Sequence, residues 1–487
     1  MVVFFIFKGG IDMQITSKVQ DKKDGLLEKL FHLTKYGTSA KTEVLAGLTT
    51  FITLGYALLV IPNVLKASGM NSQGALGDAA NALTILNDPV VGSIFTATCV
   101  LFLISTLFMG LYANLPYALG PGMGLVAFFT YGVCLTMGFT WQEAAAAVFI
   151  SGIVFIICTV TSLRQLIVDA LPENIKIAIT SGIGLFIALI GLKSGGIVVA
   201  NPGTLVSFGS FTNPSTLLTI IGILVTGILM ARGTKGAMLI GIVVTTIIGI
   251  PMGITNIQGV QLFSMPPSMM PTFGKMDFVG LLTHNGTGII AAITSVIMVI
   301  LTFSLVDMFD TIGTLVGTAQ KGDLYDEEGK PRGMNRALLV DSISTTIGAL
   351  FGLPTVSTYL ESTSGIAEGG KTGLTAVVTA VLCGLTLFFA GFVGMVPAQA
   401  TAPVLIIIGC LMLETIKEVD FSSFDEALPA FFTIAIMPFS YSIANGIAFG
   451  IISYPILKIA VGKGKKVHPL MYILAALFIL RYILIPQ

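Results

Sequence analysis

A chain of 487 residues, 54% hydrophobic and only 10% charged, is not a soluble globular protein, in which about a quarter of residues carry charge. With a mean hydropathy of +0.93, it reads as a polytopic membrane protein whose principal partner is the lipid bilayer. Lys and Arg together number 25, as do Asp and Glu, so no basic excess points to nucleic acid.

Taken in order, the first seven residues, MVVFFIF, are apolar but too short for a signal h-region with a cleavage site. A lysine-rich polar stretch, 11–41, follows them, and Met13 is an alternative start. Apolar segments then fall near 44–62, 92–112, 117–136, 143–161, 175–192, 215–231 and 236–253. A second set lies near 286–306, 336–352, 356–370, 373–395, 400–416, 426–439 and 441–460. These are numbered segments 1 to 14. The further apolar piece 469–485, interrupted by Arg481, reads as an extra span or an interfacial helix. With the N-terminus cytoplasmic, the Lys18–Lys41 tail, Arg164, Arg232, Lys235, Lys321 to Arg336, Lys371, Lys417 and Lys458 to Lys466 all fall inside. Only Lys66, Lys193 and Lys275 are left for the outside loops, the asymmetry of the positive-inside rule. Cys99, Cys134, Cys158, Cys383 and Cys410 lie far apart in apolar runs, with neither metal-ligand nor disulfide spacing. His32, His284 and His468 sit in polar or flanking segments, so neither a metal nor any other cofactor is expected.

The two halves echo one another. Asn114-Leu115-Pro116-Tyr117 opens segment 3 as Gly352-Leu353-Pro354-Thr355 opens segment 10. Leu171-Pro172 precedes segment 5 as Val396-Pro397 precedes segment 12. A period of seven segments is odd, so the second copy must be inverted in the membrane. Such folds hold substrate near the midplane, where paired segments are broken by Pro or Gly. Segment 3 reads Leu115-Pro116-Tyr117-Ala118-Leu119-Gly120-Pro121-Gly122-Met123-Gly124, which cannot begin as a regular helix. Segment 10 carries Val356-Ser357-Thr358-Tyr359, which favours extended backbone. Extended backbone within a bilayer needs partners, and these two stretches are expected to pair with each other. Helices starting after them would aim free N–H groups at a midplane ligand.

The acids supply the chemistry. Asp307 and Asp310, in LTFSLVDMFDTIGTLVGT, share one helical face with a rise of about 4.5 Å between them. Each costs about 2.5–3.5 kcal/mol at the centre of a spanning helix, so function is the default reading. The alternatives are a structural ion pair or a water-filled crevice. Glu361 is a further intramembrane acid on segment 10, or else a helix cap. With no basic residue beside them, these acids suit a cationic or hydrogen-bond-donating solute, or a proton, and disfavour an anion.

Five stretches together resemble the nucleobase–cation symporter-2 superfamily (the nucleobase/ascorbate transporters and xanthine/uracil permeases). Within it, the chain is most similar to the AzgA-like adenine/guanine/hypoxanthine permeases. They are Glu43-Val44-Leu45-Ala46-Gly47-Leu48-Thr49-Thr50-Phe51, Leu119-Gly120-Pro121-Gly122-Met123-Gly124-Leu125, Asp307-Met308-Phe309-Asp310-Thr311-Ile312-Gly313-Thr314, Ser357-Thr358-Tyr359-Leu360-Glu361-Ser362 and Met437-Pro438-Phe439-Ser440-Tyr441-Ser442-Ile443-Ala444-Asn445-Gly446. The similarity spans about Thr42 to Lys458. It implies an all-α polytopic fold of about fourteen transmembrane segments in 7+7 inverted repeats, with short antiparallel strands in segments 3 and 10.

The implied organisation is a cytoplasmic tail (1–42), a core domain (43–165 and 286–396), a gate domain (166–260 and 397–460), an extracellular loop (261–285) and a C-terminal apolar segment (461–487). By the same resemblance Asp310 and Glu361 bind the base, Asp307 is a neighbouring structural or coupling acid, and all three are candidates for proton coupling. Thr314 faces the site one turn on. The backbone of Gly120, Gly122 and Gly124 adds hydrogen bonds, with Thr50 and Tyr359 as lining. One departure stands out, since Val126 occupies the position where the family has asparagine. Valine can neither donate nor accept at a purine edge.

The leading expectation is therefore a proton-coupled symporter importing a purine nucleobase across the plasma membrane. The acids alone would also suit an amine or cation carrier, or a proton or cation channel. An anion carrier on the same fold is the other rival. An enzyme is not expected, because no HExxH pair or Gly-x-Ser-x-Gly elbow occurs. The sequence leaves a homodimer open.

Overall fold

The computed structural model describes residues 25–161, 170–257, 261, 263–283, 289–326 and 329–484. The tail residues 1–24 with Met13, Arg164 and His284 lie outside them.

Segment 1 is two helices, α1 (Ala40–Leu54) and α2 (Tyr56–Leu65), parted at Gly55. Segment 2 is α3 (Pro89–Phe108), extended by a π turn over Met109–Ala113. Its start is explicit in the sequence: Pro89 occupies the first turn, and the Asp88 carboxylate accepts from the N–H groups of Val90 (2.9 Å) and Val91 (3.0 Å). Segment 3 is strand β1 (Leu119–Pro121), then α4 (Met123–Ala127), widening into π-helical turns over Phe128–Thr136. Segment 4 is α5 (Trp141–Val160), opened by a Thr140–Glu143 capping box. Segment 5 is α6 (Glu173–Ser194), followed by a hairpin of β2 (Val198–Asn201) and β3 (Leu205–Phe208). Segments 6 and 7 are α7 (Pro214–Ala231) and α8 (Ala237–Gly249).

The second half repeats this order. Segment 8 is α9 (Ile289–Gly322) and segment 9 is α10 (Met334–Leu350). Segment 10 is strand β4 (Val356–Thr358) and the short α11 (Ser362–Ala367). Segment 11 begins as α12 (Gly373–Leu385) and runs on to Gly394. Segments 12 to 14 are α13 (Ala398–Leu413), α14 (Phe424–Phe439) and α15 (Ile443–Ala460). A last helix, α16 (Pro469–Leu484), packs on α15 and α9. Among the described residues, nine helical stretches are long and apolar enough to cross a membrane.

One sequence expectation is corrected. Segment 8 does not end near 306, because α9 continues unbroken for 34 residues, so Asp307 and Asp310 stand well inside a helix. Segment 10, expected to enter as extended chain before a helix, is a three-residue strand and a six-residue helix. Lys66, assigned to an outside loop, is buried and donates to the carbonyls of Leu83 (2.8 Å) and Asn81 (3.3 Å). Desolvation lowers its pKa to about 8.

The helices pack in two groups. In the first, α12 lies on α1 and α3, α10 on α5 and α3, and α9 on α5 and α11. In the second, α6 lies on α13, α14 and α15, and α7 on α8 and α13. Glycine sets the closest approaches: a Cβ on Gly373 would lie 1.8 Å from the Gly110 carbonyl oxygen, and one on Gly409 would lie 2.4 Å from that of Gly184. Glu43, fully buried, pins segment 1 to segment 11. Its carboxylate accepts from the N–H of Lys371 (2.8 Å), Thr372 (3.2 Å) and Thr375 (3.2 Å), and from the Thr375 hydroxyl (2.6 Å).

Asp88 also holds the loop that follows α2, accepting from the Ser72 N–H (3.0 Å) and hydroxyl (2.5 Å). Burial alone would raise its pKa, but the Ser72 hydroxyl and the backbone N–H groups outweigh burial and hold it below the usual range. A depressed carboxylate pKa adds stability above the unfolded value of about 3.9 and loses it as pH falls through the folded one. Asp88→Ala is expected to cost about 0.5–2 kcal/mol, read as a lower Tm at neutral pH, with the difference from the parent shrinking in acid.

Candidate functional site

The centre of the molecule is the β1–β4 pair. It is antiparallel, with Leu119 opposite Thr358, Gly120 opposite Ser357 and Pro121 opposite Val356. The Tyr359 N–H donates to the Ala118 carbonyl (2.9 Å) and the Gly122 N–H to the Thr355 carbonyl (3.1 Å), lengthening the ladder at both ends. All six strand residues are buried, so the pairing satisfies backbone groups that neither lipid nor water reaches. Side chains brace it: the Ser105 hydroxyl donates to the Leu119 carbonyl (2.8 Å), and the Ala118 N–H donates to the Ser362 hydroxyl (3.0 Å).

Helix α9 runs beside this pair. The Thr358 N–H donates to the Thr311 hydroxyl of α9 (3.2 Å), which anchors β4 to the turn bearing Asp310. The Ser357 side chain lies next to the Asp310 carboxylate. Glu361 follows β4, and its carboxylate accepts a short hydrogen bond from the Tyr56 hydroxyl at the start of α2. Glu361 stands at the start of α11 but its side chain does not cap that helix. Asp310 and Glu361 therefore both lie next to β4, and both are partly exposed. Asp307 differs, being buried at 1% exposure behind Asp310.

The remaining candidates divide by what they touch. A Cβ on Gly120 would lie 2.2 Å from the Phe102 ring, and one on Gly122 would lie 2.5 Å from the Ser357 hydroxyl. Both glycines thus admit the close packing around β1. A Cβ on Gly124 would meet Ile183 of α6 at 2.9 Å, so segment 3 abuts the second helix group at this residue. The Tyr359 hydroxyl donates to the Pro121 carbonyl (2.6 Å) and its ring packs 5.1 Å from that of Phe102, so it clamps the strands. Thr314 is buried one turn beyond Asp310. Thr50 lies where α1 meets α11, with its hydroxyl 2.1 Å from where a Gly365 Cβ would be, which is a packing position. Val126 is fully buried on α4.

Two residues at the site were not picked out from the sequence. Tyr56 looks like any aromatic in an apolar span. Asp341, fully buried on α10, faces Asp307 across the α9–α10 contact. Its signal was a lone acid in the run Leu338-Leu339-Val340-Asp341-Ser342.

Contacts cross the seam between the two helix groups near both of its ends. At one end the Thr136 hydroxyl donates to the Tyr441 carbonyl (3.2 Å), and the Tyr131 and Tyr441 rings are 6.3 Å apart. A cavity of about 30 Å³ there, lined by Asn63, Asp78, Asn81, Tyr131, Lys193 and Ser194, has room for about one water. At the other end Lys235, preceding α8, pairs with Glu368, following α11.

Gly120→Ala is expected to force β1 off the Phe102 ring and lower both thermal stability and transport. Tyr56→Phe should cost about 0.5–1.5 kcal/mol of unfolding stability and weaken solute affinity by removing the Glu361 donor. Melting curves read beside uptake kinetics check both.

The sequence matches the xanthine/uracil-type model described as a permease family over residues 41–449. The adenine permease AdeP of Escherichia coli (strain K12) is 41% identical over 466 residues, 96% of this chain and 98% of that protein. The guanine/hypoxanthine permease PbuG of Bacillus subtilis (strain 168) is 41% identical over 459 residues, 94% of this chain and 99% of that protein. Among solved structures, the transmembrane domain of the cyanobacterial bicarbonate transporter BicA aligns with a TM-score of 0.56 at 16% identity, covering 84% of this chain and 97% of that one. The structure of SLC26A9 aligns with a TM-score of 0.57 at 12% identity, covering 95% of this chain and 73% of that one. These two likenesses carry the fold alone, the seven-plus-seven architecture.

Proposed function

Because the chain belongs to the xanthine/uracil-type permease family, we propose that this multi-pass membrane transporter imports a purine nucleobase with protons across the plasma membrane. It is a permease, not an enzyme. The observation that carries the substrate class is the pair of partly exposed acids, Asp310 and Glu361, brought together beside β4. Segments 3, 8 and 10 contribute no Lys or Arg over 117–136, 293–319 and 356–367, so the site presents acceptors and hydroxyls to a donor-rich ring. Relatives at 41% identity named as adenine and guanine/hypoxanthine permeases support the same class. The folds of BicA and SLC26A9 raise the anion alternative, and the two acids weigh against it.

In this reading Asp310 and Glu361 grip the N–H edge of the base, with Thr314, Tyr359 and the Gly120–Gly124 backbone shaping the pocket. Asp307, Asp310 and Glu361 are the proton-bearing acids. The first helix group is the core domain (43–165 and 286–396) and the second the gate (166–260 and 397–460). The N-terminus is cytoplasmic, and the core moves against the gate along the seam crossed by Thr136–Tyr441 and Lys235–Glu368.

Uptake of labelled adenine, guanine, hypoxanthine, xanthine and uracil into proteoliposomes tests the class; transport of none of the five would refute it. Asp310→Asn and Glu361→Gln each remove a charge-assisted acceptor worth about 1.5–3 kcal/mol, so each should lower transport about tenfold or more at unchanged expression. Val126→Asn is expected to change the preference among bases. An unchanged preference would place Val126 outside the recognition surface.

A further inference from the structure

Behind the strand pair lies a second pair of acids with a different character. Asp307 is 1% and Asp341 0% exposed. Three of their four carboxyl oxygens have no hydrogen-bond partner. The fourth, Asp307 Oδ2, meets only the Thr345 hydroxyl at 3.4 Å, and Thr311 stands beside Asp341 without reaching hydrogen-bond geometry. The elements packed on α10 are α3, α5, α9, β1, β4 and the π turn after α3. From these, the charged groups facing Asp341 are Asp307 and Asp310 of α9. Glu143 of α5 is engaged at its own helix start with Thr140. On α10 itself, Arg336 is exposed in the first turn.

Two neighbouring carboxylates buried without a cation or sufficient donors cannot both stay ionised, and such groups take up a proton instead. We propose that Asp341 joins Asp307 in a buried proton-holding pair behind the substrate acids, with Asp341 a coupling residue that does not touch the base. This rests on the proton-symport reading above. The connection to the base runs through Thr345, one turn beyond Asp341. Its hydroxyl accepts from the Val356 N–H (3.0 Å) and reaches both Asp307 and the Val356 carbonyl at 3.4 Å. Ionised Asp307 accepts from that hydroxyl more strongly than protonated Asp307 does, so protonation of the pair changes how β4 is held beside Asp310. The only bond made and broken is an O–H bond, with the proton drawn from water on one face and returned to water on the other.

The full chain in proteoliposomes tests this with two assays, accumulation of labelled base under an imposed pH gradient and exchange of labelled for unlabelled base without a gradient. Asparagine mimics the neutral acid in shape, so Asp341→Asn should keep exchange within about threefold of the parent while losing gradient-driven accumulation. Asp341→Glu should restore part of the accumulation. Accumulation by Asp341→Asn at the parent level overturns the proposal, as does loss of exchange together with accumulation, which would make Asp341 a binding or structural residue. The parent is read first. If it exchanges base but ignores the gradient, the symport reading itself fails and this proposal with it.

Discussion

The constraint on which the rest of this molecule depends is the need to satisfy backbone polar groups where no water reaches them. Segments 3 and 10 enter the interior as extended chain because Pro116, Pro121 and Pro354 with their glycines prevent a helix. Each then has N–H and C=O groups to satisfy, and the β1–β4 ladder satisfies those of both halves at once. That pairing brings the two repeats together at a single place, and α9 is fastened to it through Thr311. The acids, the hydroxyls and the seam all take their positions from this junction.

The exposure of the acids follows from the same geometry. Residues three apart on a helix share a face but not a depth. On α9, Asp310 falls level with Ser357 and the strand edge, while Asp307 falls against α10. The chain thus holds acids in two settings, one pair partly exposed and one buried behind β4. A transporter that handles a neutral base and a charged particle has use for both.

Much of this was legible beforehand because composition and breakers are strong signals. Segment placement and the paired irregular segments came from runs of apolar residues interrupted by Pro or Gly, and the choice of Asp310 and Glu361 from the family resemblance. What stayed hidden was decided by partners remote in sequence. Asp341 lies on a helix rich in Ser and Thr, and nothing local says that it will face Asp307. Tyr56 is an aromatic in an apolar run until Glu361 is brought to it. Glu43 looked like part of a family motif, and its visible work is to cap segment 11. The β2–β3 hairpin was readable from Val198-Val199-Ala200-Asn201-Pro202-Gly203, a strand signal before a turn, but a search for long apolar spans passes over it.

The Lys235–Glu368 contact has a consequence for timing. Both side chains are more than a third exposed, at 58% and 37%, so water competes for each ion and an exposed pair contributes only about 0–1 kcal/mol. In the proposed cycle the two helix groups must part here on every turnover. A deeply desolvated pair would act as a trap, whereas this one weights the closed arrangement by a factor of about five at most. The charge contact at this end of the seam works as a detent that thermal motion can release.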